Sequence, residues 1–189
     1  MMRKILLAAV AAMALSACNQ MGAGPALPPV QEGAQAPSTQ ARPTGQVQRA
    51  QIDEATRTQL IANIGEQLGA ISQNFASGMT PPEGATDQIV PLEPGTDHRW
   101  TINLTANTAY TFVGACDGDC TNVDIELISM STGGVVASDM LPDDYPVVQF
   151  TPPADGQYMV RTLLQNCSVA PCYVGSRALS MPASGAAPK

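Results

Sequence analysis

From about residue 86 onward, apolar and polar side chains take turns along the chain. Trp100, Ile102 and Leu104 alternate with Thr101, Asn103 and Thr105; Tyr110 and Phe112 flank Thr111; Val123, Ile125 and Leu127 alternate with Asp124 and Glu126. Val148 and Phe150 follow, and Tyr158, Val160 and Thr162 share a third face. Successive side chains of an extended strand point to opposite sides, so this pattern commits one side of each strand to a core. Turn-forming residues divide the runs at Thr105-Ala106-Asn107, Cys116 to Thr121, Gly133-Gly134, Asp143-Asp144 and Asp155-Gly156. The expectation is a mainly β domain, an antiparallel β-sandwich of roughly seven or eight strands over residues 84–178. Trp100, in phase with Ile102 and Leu104, belongs to its core rather than to a sugar-stacking surface.

Residues 50–78 follow another period. Leu60, Ile64, Leu68, Ile71 and Phe75 recur every three or four residues, which predicts one amphipathic helix. Asp53 and Glu54 sit where a helix N-terminus favours negative charge, and Gly78 with Pro81-Pro82 ends it. The stripe would pack on the domain itself or on a second copy of the chain. Gly65 and Gly69, four apart, would permit a close crossing. A helix lying on a membrane would carry a basic polar face, which this one lacks. Residues 179–189 read as a flexible tail.

Residues 18–49 hold five prolines, with many Ala, Gly and Gln and few large apolar side chains. Such composition buries too little surface to offset chain entropy, so it predicts a disordered, extended tether.

Ahead of it, two basic residues precede the apolar stretch Ile5–Leu15, too short to span a bilayer. The leader 1–17 ends in Leu15-Ser16-Ala17-Cys18, which resembles the bacterial lipobox. That resemblance implies cleavage before Cys18 and acylation of its thiol, hence a membrane partner reached through lipid. Asn19 rather than Asp follows the cysteine, which by the usual sorting rule favours the outer membrane, facing the periplasm. The mature chain carries seven basic against sixteen acidic residues, a side-chain charge of −9. Nucleic acid is therefore a poor partner, and basic residues cannot bind the membrane.

Three stretches carry a further resemblance: Tyr110 through Leu127, Gly134 through Asp139, and Phe150 through Arg161 with its Gly156-Gln-Tyr158-Met-Val-Arg161 run. They resemble the bacterial pre-peptidase C-terminal (PPC) domain over about residues 86–176. The resemblance implies a jelly-roll-like sandwich that is usually non-catalytic and sometimes binds a polymer or calcium. With no room here for an attached peptidase, the role of protease appendage does not carry over.

Beyond Cys18, four cysteines remain: Cys116, Cys120, Cys167 and Cys172. An even number in an exported domain implies disulfides. Entropy favours cross-pairs, about 4 kcal/mol for long loops against about 2 for short ones. Local partners meet first, however, which favours Cys116–Cys120 and Cys167–Cys172. A zinc site would want C-x2-C knuckles. Asp117, Asp119 and Asp124 offer oxygen ligands suited to Ca2+, but the spacing does not complete an EF-hand loop, and solvated loop acids are the preferred reading. Asp139, Asp143 and Asp144 form a second acidic group. His98, the only histidine, stands beside Asp97; extended neighbours point apart, so an exposed strand-edge residue is expected. The function expected is a non-catalytic envelope lipoprotein whose sandwich binds an envelope protein or polymer. A calcium-dependent polysaccharide- or peptide-binding domain is the alternative, and a hydrolase using paired carboxylates stands behind it.

Overall fold

The structure is a computed structural model that describes residues 22–40 and 46–182. Among the described residues, eleven strands and one helix follow in order: β1 (Gly22–Ala23), β2 (Gln48–Arg49), α1 (Glu54–Phe75), β3 (Gln88–Leu92), β4 (Thr96–Leu104), β5 (Tyr110–Cys116), β6 (Cys120–Ser129), β7 (Val135–Asp139), β8 (Val147–Phe150), β9 (Gly156–Cys167), β10 (Val169–Ala170) and β11 (Cys172–Ser180). One sheet has the order β1-β4-β9-β6-β7 and the other β3-β11-β5-β8. All pairings within them are antiparallel except β1 with β4. Apart from the β6–β7 hairpin, successive strands from β3 to β9, and then β11, pass from one sheet to the other, the connectivity of a jelly roll.

The alternation seen in the sequence is the core. Leu104, Phe112, Ile125, Leu127, Val148 and Val160 interdigitate between the sheets, with Trp100 and Ile102 packed beside them. Trp100 also donates its indole N–H across the gap to the Ser176 hydroxyl at 3.1 Å. His98 lies on the same inward side of β4. It is half-buried, with both ring nitrogens shielded and without a hydrogen-bond partner among the described residues. This corrects the exposed-edge expectation: β1 adds a strand outside β4, so β4 is not the edge of its sheet.

Each sheet also has an outer face, and each is covered. Helix α1 lies on the four-stranded sheet. Asp53 caps it by accepting a hydrogen bond from Thr56 N–H at 2.8 Å. Ile64 and Leu68 are fully buried against Val113, Ala115, Tyr173 and Leu179. Gly175 makes room, since a Cβ there would run into Ile64 and stand 3.1 Å from Leu68 Cδ1. Most of the helical stripe is thus spent within its own domain, while Phe75 at its end stays exposed. Nothing described packs within 4 Å over Gly65 or Gly69. The helix is shorter at both ends than the 50–78 expected, and β11 runs on to Ser180, through the predicted boundary at 178.

The other outer face is covered by a segment that composition predicts to be free. Residues 22–40 enter at β1, pass Gly24 against the Arg99 carbonyl, and cross to the β6–β7 turn. There Gln31 N–H bonds the Thr132 carbonyl and Val135 N–H bonds the Gln35 carbonyl, both at 2.8 Å. The chain then returns to Ser38, over the middle of the sheet. Gly133 has φ +68° and lies against the Pro29 carbonyl, so that turn accepts the crossing backbone only as glycine. Further on, β2 pairs in parallel with β10. The 18–49 tether expectation therefore fails over 22–40. The composition argument counted apolar area, whereas this strap docks through backbone hydrogen bonds and one charged cluster.

Candidate functional site

The strap seals a buried ionic cluster on the outer face of the five-stranded sheet. Asp97 and Arg99 project from β4, Glu126 from β6 and Arg161 from β9, each no more than 5% exposed. The register sets Arg161 opposite both Arg99 and Glu126. Arg161 Nε donates to Asp97 Oδ2 at 2.5 Å, while Nη1 donates to Glu126 Oε2 and to the Ser38 carbonyl, each at 2.8 Å. Ser38 N–H donates in turn to Glu126 Oε1 at 2.8 Å. Arg99 Nε lies 3.0 Å from Asp97 Oδ1 but out of line for a hydrogen bond. Two carboxylates and two guanidiniums compensate one another here, and the lid over them is the backbone that leads back to the N-terminus. Groups committed this way hold structure. The sequence offered one hint in retrospect: outward positions of β4 and β9 carry charges that an open sheet face would not need to bury.

The structure joins Cys116 to Cys120 and Cys167 to Cys172. The two loops lie side by side at one end of the sandwich, with Cys120 opposite Cys167 across the β6–β9 ladder. Cys18 lies outside the described residues.

Asp117, Asp119 and Asp124 are not brought together. Asp117 serves the disulfide loop: Oδ2 accepts from Tyr173 N–H at 2.6 Å and Oδ1 from Asp119 N–H at 3.2 Å. Burial pushes its pKa up, against those hydrogen bonds. Asp119 is exposed and accepts from the Ser168 hydroxyl at 3.2 Å. Asp124 sits on the outer face of β6, where Oδ2 accepts from Gln165 at 2.6 Å. Burial raises its pKa, opposed by the Gln165 bond and reinforced by the negative charges of Asp139, Glu126 and Asp143. Asp124 thus belongs electrostatically with the second acidic group. Among the described residues no three His, Cys, Asp or Glu side chains gather as a metal site.

That second group frames the surface feature that stands out most. The β7–β8 connection, residues 140–146, is tied down at both ends. Asp139 accepts from Leu141 N–H at 3.2 Å and from Val147 N–H at 2.9 Å. Asp143 accepts from Tyr145 N–H at 3.2 Å through its side chain and from Val123 N–H at 3.0 Å through its carbonyl. Gly114 N–H bonds the Pro146 carbonyl at 2.9 Å, and Pro146 packs where a Cβ on Gly114 would lie. Held on this frame, Met140, Leu141 and Tyr145 are 42%, 63% and 47% exposed. The Tyr145 ring stacks on Phe75 at the end of α1, with centroids 6.4 Å apart. A fixed apolar ridge with carboxylates behind it results. Sequence reading missed it because Met140, Leu141 and Tyr145 follow neither period. A separate groove of about 420 Å3 opens beside Phe150, Val136 and Asp155.

Comparisons with known proteins bear mainly on the N-terminus. Residues 2–19 match the model for the prokaryotic membrane lipoprotein lipid attachment site. A search of curated proteins finds no match to the sequence. Among solved structures, the chain is similar to the crystal structure of Aeromonas hydrophila PliG, a periplasmic lysozyme inhibitor of g-type lysozyme. That likeness has 13% identity and a TM-score of 0.36, covering 52% of this chain and 91% of the other. With a lipid attachment site ahead of a jelly-roll sandwich, the chain is a bacterial lipoprotein, held in the cell envelope by an N-terminal lipid anchor.

Proposed function

We propose that the protein is a non-catalytic binding module, acylated on Cys18 and displayed at the periplasmic face of the outer membrane. It holds an envelope protein of basic surface by the ridge of Phe75, Met140, Leu141 and Tyr145. The rigid exposure of these side chains carries the reading: a loop fastened by Asp139 and Asp143 keeps apolar groups in water that a free loop would fold away. The acidic side chains Asp139, Asp143 and Asp144 and the charge of the mature chain favour a cationic partner. The PPC resemblance, with Gly156 to Arg161 on β9, supports a sandwich used for binding. The test places a photo-crosslinking amino acid at Leu141 or, as control, at Asn103, in the lipidated protein in intact envelopes. The expected result is a discrete adduct from position 141 only, lost on Tyr145→Ser and weakened by added salt. Equal labelling from both positions, or an adduct that ignores Tyr145→Ser, would overturn the reading.

A further inference from the structure

We propose that the disulfide-bearing end of the sandwich is the surface held against the lipid headgroups of the bilayer. The inference rests on acylation at Cys18 and adds an orientation to it. Lipid fixes the chain at residue 18, and the fold takes hold of it at Gly22, which pairs with Asp97 at the beginning of β4. A trans chain advances at most about 3.3–3.6 Å per residue, so those four steps reach roughly 14 Å. Were the whole of 18–49 free, the same bound would be roughly 110 Å. The difference comes from the docked strap. Its release would break the Gln31 and Val135 backbone bonds at the far turn and the Ser38 contacts to Glu126 and Arg161.

Strand directions say which end faces the lipid. The start of β4 is level with the end of β9, since Thr96 pairs with Leu164. The Cys116–Cys120 loop, the Cys167–Cys172 loop and the β3–β4 turn at Glu93–Gly95 all lie at that end. In the two disulfide loops and the β3–β4 turn the exposed side chains are polar: Asp119, Asn166 and Ser168, with Arg49 paired to Glu93 at 2.8 Å. The β7–β8 connection leaves the sandwich at this end too, since β7 runs back along β6 and Pro146 lies level with Gly114, but it stands at the sheet edges away from β1, where it carries the exposed Met140, Leu141 and Tyr145. The side of this end next to β1, where the tether enters, therefore meets headgroups through polar groups. The strand span of β4, about 30 Å, separates it from the β4–β5 and β8–β9 turns, which point into the compartment.

The experiment uses the full lipidated protein in phosphatidylcholine vesicles containing dansyl-phosphatidylethanolamine, after mass spectrometry has confirmed the acyl chains. An unacylated product would sink the anchor reading itself and is recognised at that step. Trp100 is the only tryptophan, so the native protein is a single donor. Inserting twenty Gly/Ser residues between Cys18 and Gly22 alters no core residue and should cut energy transfer from Trp100 several-fold. In a Trp100→Phe background, Ser168→Trp should transfer several-fold more than Ala154→Trp, both checked for folding by circular dichroism. Transfer from Trp100 unchanged by the insertion, or Ala154→Trp equal to or above Ser168→Trp, would overturn the proposal.

Discussion

Replacing Arg161 with Met should destabilise the fold by about 3–5 kcal/mol, because it strips the cation from a buried cluster and leaves the carboxylates behind. Arg161 is 5% exposed and is the cation bonded to Glu126, which is 3% exposed. Without it, Glu126 keeps only the Ser38 N–H. Asp97 retains Arg99 at 3.0 Å, poorly aligned, so the loss falls mainly on Glu126. Set against the 5–15 kcal/mol typical of a domain, the loss is large. At about 2–4 °C per kcal/mol for a chain of this size, the melting temperature should fall by roughly 6–20 °C. Urea and thermal denaturation followed by circular dichroism measure both quantities. A second readout is local: Ser38 loses its guanidinium partner, so endoproteinase Glu-C should cut after Glu32, within the strap, faster than in the wild type. The double variant Glu126→Gln, Arg161→Met removes one charge of each sign, leaves Asp97 beside Arg99, and so separates charge from packing. It should recover much of the loss, since the cost lies in unpaired buried charge rather than in missing contacts. A single variant within about 1 kcal/mol of wild type, or a double variant no more stable than the single, would refute the reasoning.

Asp124 holds a raised pKa, so its folded form binds a proton that the unfolded chain has already released; stability from this group falls as pH rises from about 4 through the folded value. Asp124→Asn should therefore raise the melting temperature at pH 7 and have less effect near pH 4, in melts at both pH values. His98 behaves in the opposite sense, its pKa lowered chiefly by burial: stability is complete above about pH 6.5 and declines as pH falls below that. A His98→Gln variant should flatten this part of the stability–pH curve in urea titrations. Gly175→Ala should cost about 1–3 kcal/mol by pushing a methyl into Ile64 and Leu68, and Ile64→Ala in the same chain should return part of it, a coupling that a double-mutant cycle measures.

The two periods in the sequence decided most of the fold. Alternation at Trp100–Leu104, Val123–Leu127 and Tyr158–Thr162 named the inward side chains of β4, β6 and β9, because strand geometry is local. The spacing of Ile64 and Leu68 named the helix face in the same way. The lipobox was equally legible, being read by enzymes as a linear motif. What the outer sheet face would bury was not legible. Asp97, Arg99, Glu126 and Arg161 look like solvent-facing positions until the strand register sets them side by side, across separations of 64 and 35 residues. The strap that covers them escaped composition for the same reason. It buries little apolar surface, and its hold depends on acceptors and donors at Glu126, Thr132, Val135 and Arg161 that exist as a docking surface only once the sandwich has formed. Propensity and periodicity thus set the elements and their inner faces; long-range pairing alone decided where the chain's first described residues lie.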